Sequence, residues 1–98
     1  MNVEFHPEAS AEFSEAVDYY EERRPEVSDR FRDQIRLIVS HLRSHPDIGW
    51  PHLAETRLER VTGFPYGVIF LVEIDCVRIL AVAHFSRRSD YWFDRLSQ

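Results

Sequence analysis

The sequence predicts an α+β domain in which a helical hairpin packs on one face of a small antiparallel sheet, in the order β-α-α-β-β-β with a short C-terminal helix. Two patterns lead to this prediction. Apolar residues recur every three to four positions in the first half of the chain, and β-branched and aromatic residues form short runs between turn residues in the second half. With 98 residues there is material for one hydrophobic core, so residues 1–98 are expected to form a single domain.

Two amphipathic helices are predicted in the first half. A short strand at residues 3–5 precedes the first helix, which Pro7 can open and which should end near residues 22–24. Pro25 can open a second helix that continues to residues 45–46, and so short a link makes the pair a hairpin. The apolar positions of the two helices are Ala9, Phe13, Ala16, Val17, Tyr20, Val27, Phe31, Ile35, Ile38 and Leu42.

The second half is expected to form three antiparallel strands in succession. Residues 46–53 have no apolar period and contain Gly49 and two prolines, so we predict an exposed loop that Trp50 pins to the domain. The predicted strands are 57–61, 66–73 and 77–85. Residues 89–96 should dock as a short turn of helix, and the first strand should join the sheet at an edge or in the middle. The sheet face opposite the helices is then left for function.

The net charge argues against a general nucleic-acid binder, and the uneven distribution of the charge qualifies that argument. The net charge is −5, and residues 1–33 carry ten acids against four arginines, whereas residues 34–98 carry seven acids against eight arginines. Nucleic-acid-binding domains are usually basic, so no direct sequence-specific binding to nucleic acid is expected. All twelve basic residues are arginine, a bias that either reflects codon usage or serves bidentate contacts with phosphate or carboxylate.

Other features of the sequence favour a cytoplasmic protein without cofactors. Cys76 is the only cysteine and cannot form an internal disulfide, and the N-terminal residues do not resemble a signal peptide. The longest apolar run, residues 68–72, falls far short of the roughly 20 residues that cross a bilayer, so no membrane association is expected. The histidines lack the spacing of metal ligands, and neither a metal nor another cofactor is predicted.

Candidate functional residues are concentrated at the exit of the last predicted strand. They are His84, Arg87, Arg88, Tyr91 and Trp92. If the two hairpin turns centre on residues 63–64 and 74–75, Arg60 lies opposite Gly67, which in turn lies opposite Val82. This register places Arg60 and His84 on one face, and a slip of one residue would place them on opposite faces.

Each of these candidates also has a structural interpretation. His84 is either a proton-transfer group or a hydrogen-bonded structural residue, and Trp92 either stacks on a partner or closes the core. Arg87 and Arg88 either hold phosphates or are solvated. Arg78 either contacts a partner or forms a salt bridge with Glu73.

An ordered set of residues over most of the chain resembles the ParE-like toxins of the ParE and RelE superfamily. In the second half the resemblance rests on Phe64, Pro65 and Tyr66, on Asp75, Val77, Arg78, Ile79, Leu80, Ala81, Val82 and His84, and on Arg87, Arg88, Tyr91 and Trp92. In the first half it rests on His6, Pro7, Glu8, Ala9, Tyr19, Tyr20, Arg30 and Phe31.

The resemblance implies the toxin of a type II toxin-antitoxin system, of the kind associated with plasmid stabilisation. A cognate antitoxin would neutralise it by wrapping the helical hairpin and the sheet, with Tyr20, Phe31 and Arg78 as expected contacts. ParE-like members act on DNA gyrase, which requires a complementary surface and no catalytic residue in the toxin. The residues expected to bind the target are Arg60, His84, Arg87, Arg88, Tyr91 and Trp92.

Two alternatives stay open at this point. RelE-like relatives are ribosome-dependent mRNA endoribonucleases, and the residues that would serve that reaction here are Arg57, Arg60, His84, Arg87 and Tyr91. RelE-type enzymes typically use lysines, and this chain has none, so only His84 and Tyr91 remain for proton transfer. The third possibility is a non-toxic binding module that has kept the fold.

Overall fold

A computed structural model describes all residues from Met1 to Gln98. The elements are β1 (Asn2–Phe5), α1 (Pro7–Arg23), α2 (Pro25–Ser44), β2 (Trp50–Pro51), β3 (Arg57–Arg60), β4 (Tyr66–Val72) and β5 (Cys76–His84). Short 3-10 helices span Leu53–Glu55 and Phe93–Ser97. The two helices, the three consecutive strands and the C-terminal turn of helix therefore lie close to the predicted positions. None of the helices is long and apolar enough to cross a membrane.

The helical hairpin is set by the two prolines that open its helices. The His6 side chain caps α1, where its Nδ1 accepts a hydrogen bond of 3.1 Å from the Glu8 N–H. Pro7 follows at the first helical position, where its missing N–H is of no consequence. Arg24 alone separates α1 from α2, and Pro25 opens the second helix. Because the link is a single residue, the two helices must fold back on each other as neighbours.

The sheet is mixed, which corrects the antiparallel sheet predicted from the sequence. Its strand order is β1-β5-β4-β3-β2. The strands β2 to β5 pair antiparallel, but β1 lies parallel to β5, with Val3 opposite Val77 and Phe5 opposite Ile79. Parallel pairing is possible because the two helices and three strands between β1 and β5 supply the long connection that it needs. The first strand therefore joins at an edge.

Apolar residues pack on both faces of the sheet. The helix-side core contains Ala9, Ala16, Phe31, Ile35, Ile38, Leu42, Val61, Val68, Phe70, Val77, Ile79 and Val82. The opposite side, which we call the open face, carries a smaller core of Ile69, Leu80, Ala81, Ala83 and Trp92, with Leu58, Leu71, Tyr91 and Leu96 packed against it. The expectation that this side is bare was wrong, because the C-terminal segment covers part of it.

A β-bulge at Leu80 interrupts the pairing of β4 with β5. Ile69 lies opposite Ala81 and Phe70 opposite Ile79, so Leu80 has no partner across the strand pair. Both Leu80 and Ala81 consequently belong to the core of the open face. Beyond the bulge the alternation of side chains is shifted by one residue, because two residues on one strand oppose one on the other.

Arg57, rather than Trp50, holds the loop that follows α2. Trp50 is 74% exposed, so the prediction that it pins the loop was wrong. The Arg57 guanidinium donates hydrogen bonds to the carbonyl oxygens of Asp47, Ile48 and Gly49 at 2.7 to 2.9 Å. These bonds satisfy carbonyl groups that lie outside the sheet ladder, and they fix the loop against β3.

Candidate functional site

The bulge separates Arg60 from His84. Arg60 pairs with Gly67 as predicted, but Gly67 pairs with Ala83 instead of Val82. Arg60 therefore shares the open face with Phe85, and its guanidinium carbon lies 5.0 Å from the centre of the Phe85 ring. His84 lies opposite Tyr66, one position farther along, and so points to the helix side of the sheet. The predicted placement of both residues on one face was wrong.

Hydrogen bonding fixes the tautomer of His84. The Ser86 N–H donates to Nδ1 of His84 at 3.0 Å, and the imidazole ring meets the Tyr66 ring edge-on with 5.0 Å between the centroids. Since Nδ1 accepts a hydrogen bond, the neutral ring carries its proton on Nε2. The lone pair on Nδ1 is therefore engaged by the Ser86 N–H, and His84 can act as a base only after this hydrogen bond breaks.

Tyr91 is tied to the first helix and is poorly suited to give up its proton. Its phenol donates a hydrogen bond of 2.8 Å to Oε2 of Glu12. Burial and this bond to the Glu12 carboxylate raise the pKa of Tyr91 far above the usual range of a tyrosine. Arg87 stacks on the Tyr91 ring, with its guanidinium carbon 3.9 Å from the ring centre. Tyr91 therefore positions Arg87 at the end of β5.

Glu12 forms an ion pair with Arg95 that was not predictable from the sequence. Oε1 and Oε2 of Glu12 accept bonds of 2.9 and 3.0 Å from the Arg95 guanidinium, although the two residues are 83 positions apart. The same two side chains form hydrogen bonds with the backbone at the bulge. Glu12 accepts from the Val82 N–H at 3.0 Å, and Arg95 donates to the Leu80 carbonyl at 2.9 Å. They thus satisfy backbone groups on the edge of β5 that β1 leaves unpaired.

The remaining arginines lie apart from one another. Arg57 is engaged with the loop carbonyls described above. Arg78 lies 3.6 Å from the Glu73 carboxylate and donates to the carbonyls of the last residues, at 2.8 Å to Gln98, so it anchors the C-terminal segment. Arg88 is exposed, with Asp90 3.3 Å away. The set Arg57, Arg60, His84, Arg87 and Tyr91 is therefore distributed over both faces and a loop, and does not converge on one reacting phosphate.

Two of the predicted contact residues are core residues. Phe31 and Trp92 are both 0% exposed, so neither side chain presents a surface to a partner in this conformation. Tyr20 is partly exposed and lies beside a groove of about 350 Å³ between the helical hairpin and the turn from β3 to β4. The groove is lined by Tyr20, Val27, Arg30, Asp33, Gln34, Thr62, Gly63, Phe64 and Pro65. No His, Cys, Asp and Glu side chains form a group of three or more that could hold a metal ion.

Comparison with known proteins agrees with this architecture. The family model for the ParE toxin of type II toxin-antitoxin system, parDE, matches residues 3–89. A solved structure described as the chromosomal ParDE TA system from P. aeruginosa is similar with a TM-score of 0.75 and 20% sequence identity, covering 86% of this chain and 95% of that chain. At this identity the likeness shows the fold. No curated protein matches the chain significantly.

Proposed function

The chain belongs to the ParE toxin family of type II toxin-antitoxin systems, and we propose that it acts in the cytoplasm by binding DNA gyrase without catalysing a reaction of its own. The absence of catalysis is inferred from the hydrogen bonding of the two candidate proton-transfer groups, His84 and Tyr91. The lone pair of His84 accepts a backbone hydrogen bond, and the Tyr91 phenol is held as a donor to Glu12. A toxin that works by surface complementarity needs neither group to titrate.

The arrangement of the arginines supports the same conclusion. Cleavage of RNA by its 2′-hydroxyl requires a base, an acid and a group that stabilises charge on the phosphorane, held together around one phosphate. Arginine suits only the last role, since it stays protonated. Here Arg57 holds a loop, Arg60 lies on the open face and Arg87 stacks on Tyr91 at the strand end. A RelE-like endoribonuclease is therefore the poorer alternative.

A cognate antitoxin is the second partner in this proposal. We expect part of it to occupy the groove beside Tyr20, where partly exposed aromatic residues and Arg30 offer apolar area together with a charge. Arg78 is available to a partner only in part, because its guanidinium already serves Glu73 and the C-terminal carbonyls. Phe31 supports this groove from beneath, with its ring 5.0 Å from that of Phe64.

One preparation of the purified chain tests the target in two parallel assays. We expect inhibition of supercoiling by gyrase holoenzyme and no cleavage of messages on translating ribosomes. Because the proposed inhibition needs no proton transfer, His84→Ala should still inhibit supercoiling, with no more than the small loss expected from one contact residue at the pocket, and thermal unfolding measures any effect on folding. Ribosome-dependent cleavage that His84→Ala abolishes would refute the proposal in favour of the nuclease. If expression of the chain arrests no growth and neither assay responds, the non-toxic binding module is correct.

A further inference from the structure

The open face carries an exposed aromatic and arginine surface next to a small pocket. Trp50 lies opposite Leu58 in the pairing of β2 with β3, so the two side chains project from the same face. Trp50 is 74% exposed. Phe85, whose ring is in contact with the Arg60 guanidinium, is 41% exposed. Tryptophan and arginine are the residues most enriched at energetically dominant positions of protein interfaces. A tryptophan with three quarters of its surface in water contributes little to this fold.

The pocket beside these residues has the size of one side chain. Its volume is about 110 Å³, and its walls are formed by Leu58, Ile69, Ala83, Phe85 and Trp92, with His52, His84, Arg87, Arg88, Ser89 and Tyr91 around them. Pockets for small molecules usually measure about 300–1,000 Å³. A cavity of roughly 150 Å³ accepts one benzene molecule, so the present, smaller one has room for a single aliphatic side chain.

A loop with a strained backbone borders the pocket. It carries His52 and holds Ala54 and Glu55 at φ of 55° and 63°, a conformation that residues with side chains rarely adopt and that is often retained at binding sites. Trp92 closes the pocket from the core side, where its side chain is fully buried.

The charge of the surface specifies the partner further. The residues around the pocket include Arg87 and Arg88, and the Arg60 guanidinium contacts Phe85 in its wall. Asp90 forms an exposed ion pair with Arg88 at 3.3 Å, which contributes little energy and can be exchanged for a carboxylate of a partner. A partner segment that supplies carboxylates would complement these guanidinium groups bidentately. The helix surfaces of this chain are by contrast rich in acids, and residues 1–33 hold ten of the seventeen. The open face is thus where an acidic partner meets the least repulsion.

We propose that the target of the toxin docks on the open face by inserting one aliphatic side chain into the pocket and placing flanking carboxylates against Arg60 and Arg88, at Arg88 in exchange for the contact with Asp90. This rests on the proposed function, in which binding alone inhibits the target. The segment that docks is a polypeptide with an apolar anchor between acidic residues. Trp50 packs over it at the rim.

The test compares Trp50→Ala and the double variant Arg60→Ala/Arg88→Ala with two controls. Ile74→Ala removes a 99% exposed apolar side chain at the turn between β4 and β5, and Arg36→Ala removes an exposed arginine from α2. All four are measured for thermal unfolding, inhibition of gyrase supercoiling, growth arrest and binding to co-expressed antitoxin. We expect both test variants to inhibit at least tenfold more weakly, about 1.4 kcal/mol, with the controls and antitoxin binding unchanged.

The outcomes distinguish this proposal from the function on which it rests. Test variants that inhibit like the controls overturn the docking site while leaving gyrase as the target. Loss of antitoxin binding with inhibition intact makes the antitoxin the occupant, and loss of a dimer in sedimentation makes it a second copy; either overturns the proposal. If wild-type toxin leaves gyrase unaffected, gyrase is not the target, and the docking site is judged by growth arrest instead. Loss of growth arrest in the test variants alone supports the docking site. Growth arrest retained in the test variants overturns it.

Discussion

Replacing Glu12 by alanine should destabilise the domain strongly. Glu12 is partly buried, with 14% of its side chain exposed, and Arg95 is 7% exposed. The substitution removes both bonds to Arg95, the acceptor of the Val82 N–H and the acceptor of the Tyr91 phenol. It also leaves the buried Arg95 charge, beside the Leu80 carbonyl, with only the more exposed Glu8 carboxylate at 3.4 Å as a counter-ion.

The expected magnitude follows from that poorly compensated charge. Removing one partner of a buried ion pair typically costs about 3–5 kcal/mol, and the remaining contact of Arg95 with Glu8 places the expected loss at the lower end of this range. For a domain of this size each 1 kcal/mol lowers the melting temperature by about 4–8 °C, so a loss at the lower end is a drop of roughly 12–24 °C. Glu12→Gln keeps an acceptor oxygen for the Val82 amide and should fall between wild type and alanine.

Urea unfolding followed by circular dichroism measures these differences. Glu15→Ala, one turn away on an exposed position of α1, is the matched control and should change the free energy of unfolding by less than about 0.5 kcal/mol. The double variant Glu12→Ala/Arg95→Ala should be clearly more stable than the sum of the single losses predicts. A loss below about 1 kcal/mol for Glu12→Ala, or strict additivity in the cycle, would refute the role assigned to the pair.

Three further predictions concern single side chains. Arg57→Ala should free the loop carbonyls and lower the free energy of unfolding by about 1.5–3 kcal/mol. Limited proteolysis should then show new cleavage between α2 and β3, and an unchanged digest would contradict the role of Arg57. Because the pKa of Tyr91 is raised, the folded state holds that proton more tightly than the unfolded chain, so wild-type stability should fall as pH rises above about 10, and Tyr91→Phe should lose this part of the alkaline decline. The carboxylate of Glu4, burial and the contact with Glu73 raise the pKa of Cys76 to about 11. Alkylation of native protein at pH 8 should therefore be roughly a hundredfold slower than of urea-unfolded protein, and equal rates would contradict this.

The helices and the order of the strands were predictable because they depend on local chemistry. Pro7 and Pro25 mark the helix starts, and the apolar stripes between them bury Phe31, Ile35 and Leu42 as the period requires. Arg60 pairs with Gly67 because the turn between β3 and β4 sets that register within a few residues. In each case the information lies within one element or one turn.

The predictions that failed concern contacts between distant segments. The bulge at Leu80 shifts the alternation of side chains in β5, and no residue type in that strand indicates it. Glu12 and Arg95 meet across most of the chain, and either residue alone is indistinguishable from a solvated charge in the sequence. The parallel placement of β1 and the cover of the open face by the C-terminal segment likewise follow from tertiary packing, which overrides local pattern.

Trp92 links this stabilising network to the proposed docking surface. It packs against the core of the open face and also lines the pocket, while Arg95, three residues on, holds the C-terminal segment to Glu12 and to the Leu80 carbonyl. Loosening that segment by Glu12→Ala should therefore distort the pocket wall and weaken inhibition of the target even at temperatures where the variant is fully folded. Arg57→Ala frees the loop that carries Trp50 and His52 and should weaken inhibition as well, whereas Arg36→Ala, on α2, should inhibit like wild type. A folded Glu12→Ala variant with undiminished inhibition would mean that the target contacts a surface independent of the C-terminal segment, because the pocket cannot keep its shape when one wall is released.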